Sequence, residues 1–140
     1  MHFDLNIQGL LSATKEAVLA MGNRGGSIIN ISSVAATSAT PGASVYSATK
    51  GAVNTLTLAL AAELGPKQIR VNAISPGMTD TEGFQTAGIG ETEMAGQVIA
   101  ATPLARIGQP EDIAKVVAFI ASDAAGWITG EVIDVAGGYR

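Results

Sequence analysis

The sequence contains no cysteine, which removes disulfides, thiolate zinc sites and cysteine nucleophiles together. Its one histidine, His2, lies beside the first residue, where an imidazole is poorly placed to serve a Ser/His/Asp triad. Charge is scarce at 14%, and the twelve acidic residues outnumber the eight basic ones for a net charge of -4. That balance argues against a nucleic-acid partner, and no cluster of Lys or Arg suggests a membrane surface. No apolar run reaches membrane-spanning length. The first residues, Met1-His2-Phe3-Asp4, carry neither the basic region nor the apolar run of a signal peptide. A cytoplasmic location is therefore expected.

Apolar residues make up 47% of the 140 residues, and 17 positions are glycine. This composition suits strands buried on both faces, with Ala-rich helices packed closely over them. It also suggests a surface covered by other subunits. The length predicts one domain, residues 1–140, with room for a real core. Apolar spacing of three and four predicts a helix over residues 5–21, ended by GNRGG at 22–26. SIINIS (27–32) is short, β-branched and bounded by small residues, so it reads as a buried strand. A loop of small residues follows, then a helix over about 46–64. IRVNAIS (69–75) is the second strand, stopped by Pro76-Gly77. Residues 78–107 read as a long loop with one short helix near 93–101, the kind of connection that forms a lid over a substrate. Pro110 and the acids behind it open another helix, in which Glu111 and Asp112 fit first-turn charges better than a catalytic pair. GEVIDVAGG (130–138) is the third strand, and Trp127 and Tyr139 read as packing residues beside it. Strands alternating with helices predict an α/β fold: a parallel sheet of about three strands joined by right-handed crossover helices.

Tyr46 and Lys50 lie four residues apart, one turn of the long helix, and so project from the same face. A free phenol has a pKa near 10, and a cation held beside it favours the phenolate. The pair could therefore move a proton, although Tyr and Lys also meet at this spacing on ordinary solvated helices. Its surroundings strengthen the chemical reading. Ser33 follows the strand SIINIS at the carboxyl end, where open parallel sheets gather ligand groups. Tyr46 starts from the same edge, and Pro76-Gly77 leaves the second strand there. Ser47 and Lys50 match S-x-x-K, but the S-D-N and K-T-G elements of that chemistry are absent, as is a G-x-S-x-G elbow. Three positions keep bland alternatives: Asn6 as a helix cap, Ser33 as a loop residue bonding its own backbone, and Pro76-Gly77 as a strand stop.

GGSIINISSVA, VYSATKGAV, LAAELGPKQIRVNAISPGMTDT and ITGEVIDVAGG occur in an order and spacing that resemble the short-chain dehydrogenase/reductase family. The likeness runs from Phe3 to Gly138. It implies a Rossmann-like sheet and a reaction between a secondary alcohol and a ketone with NAD or NADP. By the same resemblance, Tyr46 is the general acid/base and Lys50 lowers the Tyr pKa and holds the nicotinamide ribose. Ser33 binds the substrate oxygen, whereas Ser32 does not match the spacing. Asn6 in FDLNIQG anchors a proton-relay water, and Pro76, Gly77, Thr79 and Thr81 contact the nicotinamide end. The resemblance also implies a homo-oligomer, paired through the first and the long helix.

The family's glycine-rich phosphate turn, its NAD/NADP-selecting residue and its Asn-Asn-Ala-Gly strand have no counterpart among these residues. The Rossmann-like sheet is therefore expected to be incomplete, with an open edge on SIINIS and impaired dinucleotide binding. Two readings follow: an oxidoreductase short of half its cofactor site, or a non-catalytic remnant that folds and oligomerises without binding dinucleotide.

Overall fold

The computed structural model describes residues 2–38 and 41–140. Positions 1, 39 and 40 lie outside the described residues, the last two within the loop expected between the first strand and the long helix. The chain opens with a π-helical turn, Asp4–Gly9, that runs into α1, Leu10–Met21. β1 (Gly26–Ile31) leads through a 3-10 turn (Val34–Ala36) to α2, Ser44–Leu64. β2 follows at Ile69–Pro76. The expected loop of residues 78–107 holds two helices rather than one, α3 (Glu82–Thr86) and α4 (Glu93–Ala101). Sequence periodicity missed α3 because five residues are too few to show a helical repeat; its start is marked only by Thr81, whose hydroxyl caps the Phe84 N–H at 3.2 Å. α5 (Pro110–Ala121) and β3 (Val132–Val135) complete the chain, β3 being shorter than its glycine-bounded run suggested.

The three strands form one sheet in the order β1-β2-β3, parallel throughout. Ile69 and Val71 meet Ala61 and Leu64 of α2, with Val18 and Met21 of α1 packed against them. Ile74, one pleat over, meets Ile120 of α5, with Ile29 and Ile133 alongside. Alternation along β2 therefore sends side chains to helices on opposite faces, and this central strand is buried almost end to end. The same placement corrects the expectation of right-handed crossovers throughout. β1→β2 and β2→β3 advance in one direction across the sheet, but α2 and α5 lie on opposite faces. Two such crossovers have opposite hands. The preference for one hand comes from short connections that follow strand twist, and the long path through residues 77–109 lets the chain round the sheet before α5 packs.

Buried polar groups tie the layers together. Asn30 on β1 donates to the Thr57 hydroxyl of α2 at 2.9 Å, and Thr57 donates to the Val53 carbonyl at 2.8 Å. Asn72, fully buried on β2, donates to the Ile128 carbonyl and accepts from the Glu131 N–H, each at 3.0 Å. Arg70 spreads its guanidinium over the carbonyls of Ile120, Ile128 and Ser122, closing the end of α5 with a cation. Trp127, expected to pack near the last strand, is instead fully exposed. It stands in the tight turn before β3, where the backbone is held by Asn72 and Arg70 rather than by aromatic burial.

At the other end of α5, Asp112 binds the Arg106 guanidinium through both oxygens, at 2.6 and 3.0 Å, and accepts the Gln109 N–H at 2.8 Å. The Arg106 hydrogen bonds first, and the Gln109 amide second, hold its carboxyl down to about 2. A depressed carboxyl contributes stability above its ordinary pKa and loses it as the pH falls through the folded value. We expect the melting-temperature gap between the wild type and Asp112→Asn to be full above pH 3.8 and to close as the pH falls through about 2. The pair is solvent-exposed, so the gap is small; a gap unchanged across that range in thermal denaturation contradicts the assignment.

Candidate active site

At the carboxyl ends of β1 and β2, the Ser32 N–H continues the ladder to the Ile74 carbonyl at 2.7 Å. Ser32 is buried and its hydroxyl donates to the Lys50 carbonyl at 3.2 Å, so it anchors the strand end to α2. Ser33 turns outward. Its oxygen accepts the Ala35 N–H at 3.1 Å, as the loop-residue reading anticipated, and that leaves its O–H able to donate to a ligand.

Tyr46 enters in the first turn of α2, and Lys50 follows one turn later. The Lys50 ammonium lies 5.8 Å from the Tyr46 ring centroid and donates to the Ile31 carbonyl at 2.8 Å. Because the Ser32 N–H faces β2, strand alternation turns the Ile31 carbonyl toward the open edge of the sheet. Lys50 thus satisfies a backbone group that has no strand beside it. Partial burial lowers the Lys50 pKa from 10.5.

Pro76 ends β2, and Gly77 donates to the Val135 carbonyl at 3.0 Å. A Cβ on Gly77 would stand 2.8 Å from the Cβ of Ala136 and 2.9 Å from its Cα, so the exits of β2 and β3 close together only around glycine. The Thr79 hydroxyl donates to the Gly77 carbonyl at 3.0 Å, fixing the turn. Asn6 lies elsewhere. Its amide donates at 3.0 Å to Thr49, whose hydroxyl in turn donates to the Tyr46 carbonyl at 2.8 Å. It does not cap the first helix, where Phe3 holds the cap position. Nor does it line a cleft; it braces the start of α2 from behind.

Two clefts meet at this rim. The larger, of about 530 Å³, is bordered by Lys50, Thr81 and Ile113. The smaller, of about 350 Å³, is walled by Val34, Phe84, Met94 and Tyr139. Ser33, Tyr46, Pro76, Gly77 and Thr79 border both. The structure therefore brings seven of the eight expected residues to one place, Thr81 and Lys50 on the larger side only. Sequence reasoning missed the walls of the smaller cleft, Tyr139 above all. Tyr139 arrives there because Gly137 and Gly138 take positive φ and press against Thr102 and Pro103, a tertiary contact without a local signal.

As chemistry, the rim offers one phenol, one hydroxyl donor and one cation between two compartments. The larger compartment suits the nicotinamide–ribose end of a dinucleotide: a cation and threonine hydroxyls on one side, with Pro76 and Ile113 as apolar backing for a flat ring. Among the described residues, no glycine-rich turn between a strand and a helix cradles a pyrophosphate.

A family model described as enoyl-(acyl carrier protein) reductase matches residues 1–140. The chain is 56% identical over 138 residues to an uncharacterised oxidoreductase from Methylorubrum extorquens, covering 99% of this chain and 55% of that protein. Its structure is similar to a short-chain type dehydrogenase/reductase from Mycobacterium ulcerans, with a TM-score of 0.90 and 41% identity, over 96% of this chain and 49% of the other. It is also similar to a 3-oxoacyl-[acyl-carrier protein] reductase with bound NAD from Brucella melitensis, with a TM-score of 0.87 and 37% identity, over 98% and 50% of the two chains. The chain thus spans about half the length of the relatives it matches.

Proposed function

Because the chain belongs to the short-chain dehydrogenase/reductase family, we propose that it carries the proton-transfer and substrate half of an oxidoreductase that interconverts a secondary alcohol and a ketone. The observation that carries this reading is the shared rim: Tyr46 and Ser33 stand between a compartment bearing Lys50 and a second, apolar one. A nicotinamide dinucleotide, when bound, supplies or accepts the hydride at the substrate carbon. The protein's own residues handle the oxygen. Ser33 donates a hydrogen bond to it and fixes its position. Tyr46 gives its proton to the forming alkoxide in reduction and takes the alcohol proton in oxidation. The Lys50 ammonium favours negative charge on the phenol oxygen at that moment. Lys50 also faces the larger cleft, where it and Thr81 would hold ribose hydroxyls. Asn6 acts at one remove, through Thr49 and the first turn of α2.

The same proposal includes a lid, residues 78–107, and self-association. Ala48, Ala59 and Ala62 of α2 and Leu11 and Leu19 of α1 are exposed, apolar and unpaired within the chain. Light scattering at micromolar concentration is expected to give a dimer or larger species.

The deciding experiment is titration of the protein with NADH and NADPH, followed by turnover of a secondary alcohol. Binding of one dinucleotide with alcohol-dependent nicotinamide reduction is the expected result. Self-association with neither binding nor turnover would favour the non-catalytic module instead.

A further inference from the structure

We propose that the smaller cleft selects neutral, apolar ring ketones and their secondary alcohols, and excludes substrates that carry an anionic group there. The inference rests on the oxidoreductase reading above, because that reading places the reactive oxygen at Ser33 and Tyr46.

The rest of the substrate must lie against Val34, Met78, Phe84, Ile89, Met94 and Val98, with the Tyr139 phenol beside them, and no residue lining this cleft carries a charge. Arg140 follows Tyr139 in the chain and is exposed, but it does not line the cleft, and two other cations are bonded elsewhere. Lys50 borders only the other cleft and is bonded to the Ile31 carbonyl. Arg106 is held by both oxygens of Asp112. A carboxylate or phosphate entering the cleft would lose water and find no cation in the lining, only hydroxyl groups, which disfavours binding of the charged form. An apolar body loses nothing and displaces water from six apolar walls. The volume of about 350 Å³ suits one or two fused rings rather than a small hydroxy acid. Two of the walls are methionines, whose unbranched chains adapt to different outlines. The cleft therefore selects for polarity more sharply than for shape.

A matched pair of ketones tests this in the protein: 4-tert-butylcyclohexanone and 4-oxocyclohexanecarboxylate, which share the ring and the reacting carbonyl. Binding is measured by calorimetry with dinucleotide present, and turnover separately. We expect kcat/KM to favour the tert-butyl compound by about a hundredfold, with a matching preference in binding. Met94→Lys places a cation at a half-exposed wall position and is expected to fold normally. It should shrink the preference by tenfold or more by improving the carboxylate. Equal affinities, a carboxylate preference in the wild type, or binding of neither ketone would each overturn the selectivity. The tert-butyl preference in binding without hydride transfer from NADH or NADPH would instead overturn the redox reading and leave the selectivity standing.

Discussion

Replacing Tyr46 by Phe lowers turnover of a secondary alcohol by about a hundred- to ten-thousand-fold, the usual contribution of a positioned general acid or base, and leaves the melting temperature nearly unchanged. Tyr46 borders two clefts and is not a core residue, so removing its hydroxyl opens no cavity in the core. The ring stays and keeps its edge contact with His2, at 6.0 Å between centroids. Lys50→Met is expected to reduce turnover as well, with a second signature. It removes the donor to the Ile31 carbonyl at the open edge, so dinucleotide affinity falls together with turnover. The contrast between the variants separates proton transfer from binding: Tyr46→Phe acts mainly on kcat, Lys50→Met on both parameters. Steady-state kinetics, with circular dichroism as a folding control, reads both. Near-full activity in Tyr46→Phe would assign the proton to another group.

Asn72→Ala has the largest expected effect on stability. Asn72 has no exposed surface, and its amide holds two backbone groups of the turn before β3, the Ile128 carbonyl and the Glu131 N–H. Alanine deletes both hydrogen bonds and strands the Glu131 N–H, while the Ile128 carbonyl keeps Arg70 as its remaining donor. Each buried group left without a partner costs about 1–3 kcal/mol. We therefore expect about 1–3 kcal/mol of destabilisation, or roughly 5–10 °C in melting temperature for a domain of this size. Asn72→Asp is a sharper probe. It keeps an acceptor for Glu131 but turns a carboxylate oxygen toward the Ile128 carbonyl, and burial of that charge should make it at least as harmful. Thermal and urea denaturation measure both. A loss below about 0.5 kcal/mol, the range of ordinary surface substitutions, would show that the turn before β3 is held by other contacts.

Much of the architecture was legible before any coordinates. The β-branched run at 27–32 does form a strand, with Ile28 and Ile29 covering helices on opposite faces, but at the edge of the sheet it is only partly buried and Ile31 is exposed. Pro110 and Asp112 mark a helix start by the missing N–H of one and the carboxylate of the other. The four-residue spacing of Tyr46 and Lys50 puts them on one helix face wherever that helix goes. Such features follow from local geometry and need no knowledge of the rest of the chain.

The remainder was decided by contacts between distant residues. Only the family's spacing separates Ser32 from Ser33 in the sequence; the structure buries the first, with its hydroxyl on the Lys50 carbonyl, and sets the second where it borders both clefts. Nothing near Asn6 names Thr49 as its partner, 43 residues away. The hand of the second crossover, the full exposure of Trp127 and the arrival of Tyr139 at the smaller cleft all depend on how the long segment between β2 and α5 rounds the sheet. The sequence by itself determined the strands, the helices and the chemistry that their ends can carry, because periodicity and turn residues act within a few positions. The tertiary structure alone decided which of those groups meet, because side chains far apart in the chain become neighbours only when the sheet, its two helical layers and the segment at residues 78–107 pack against one another.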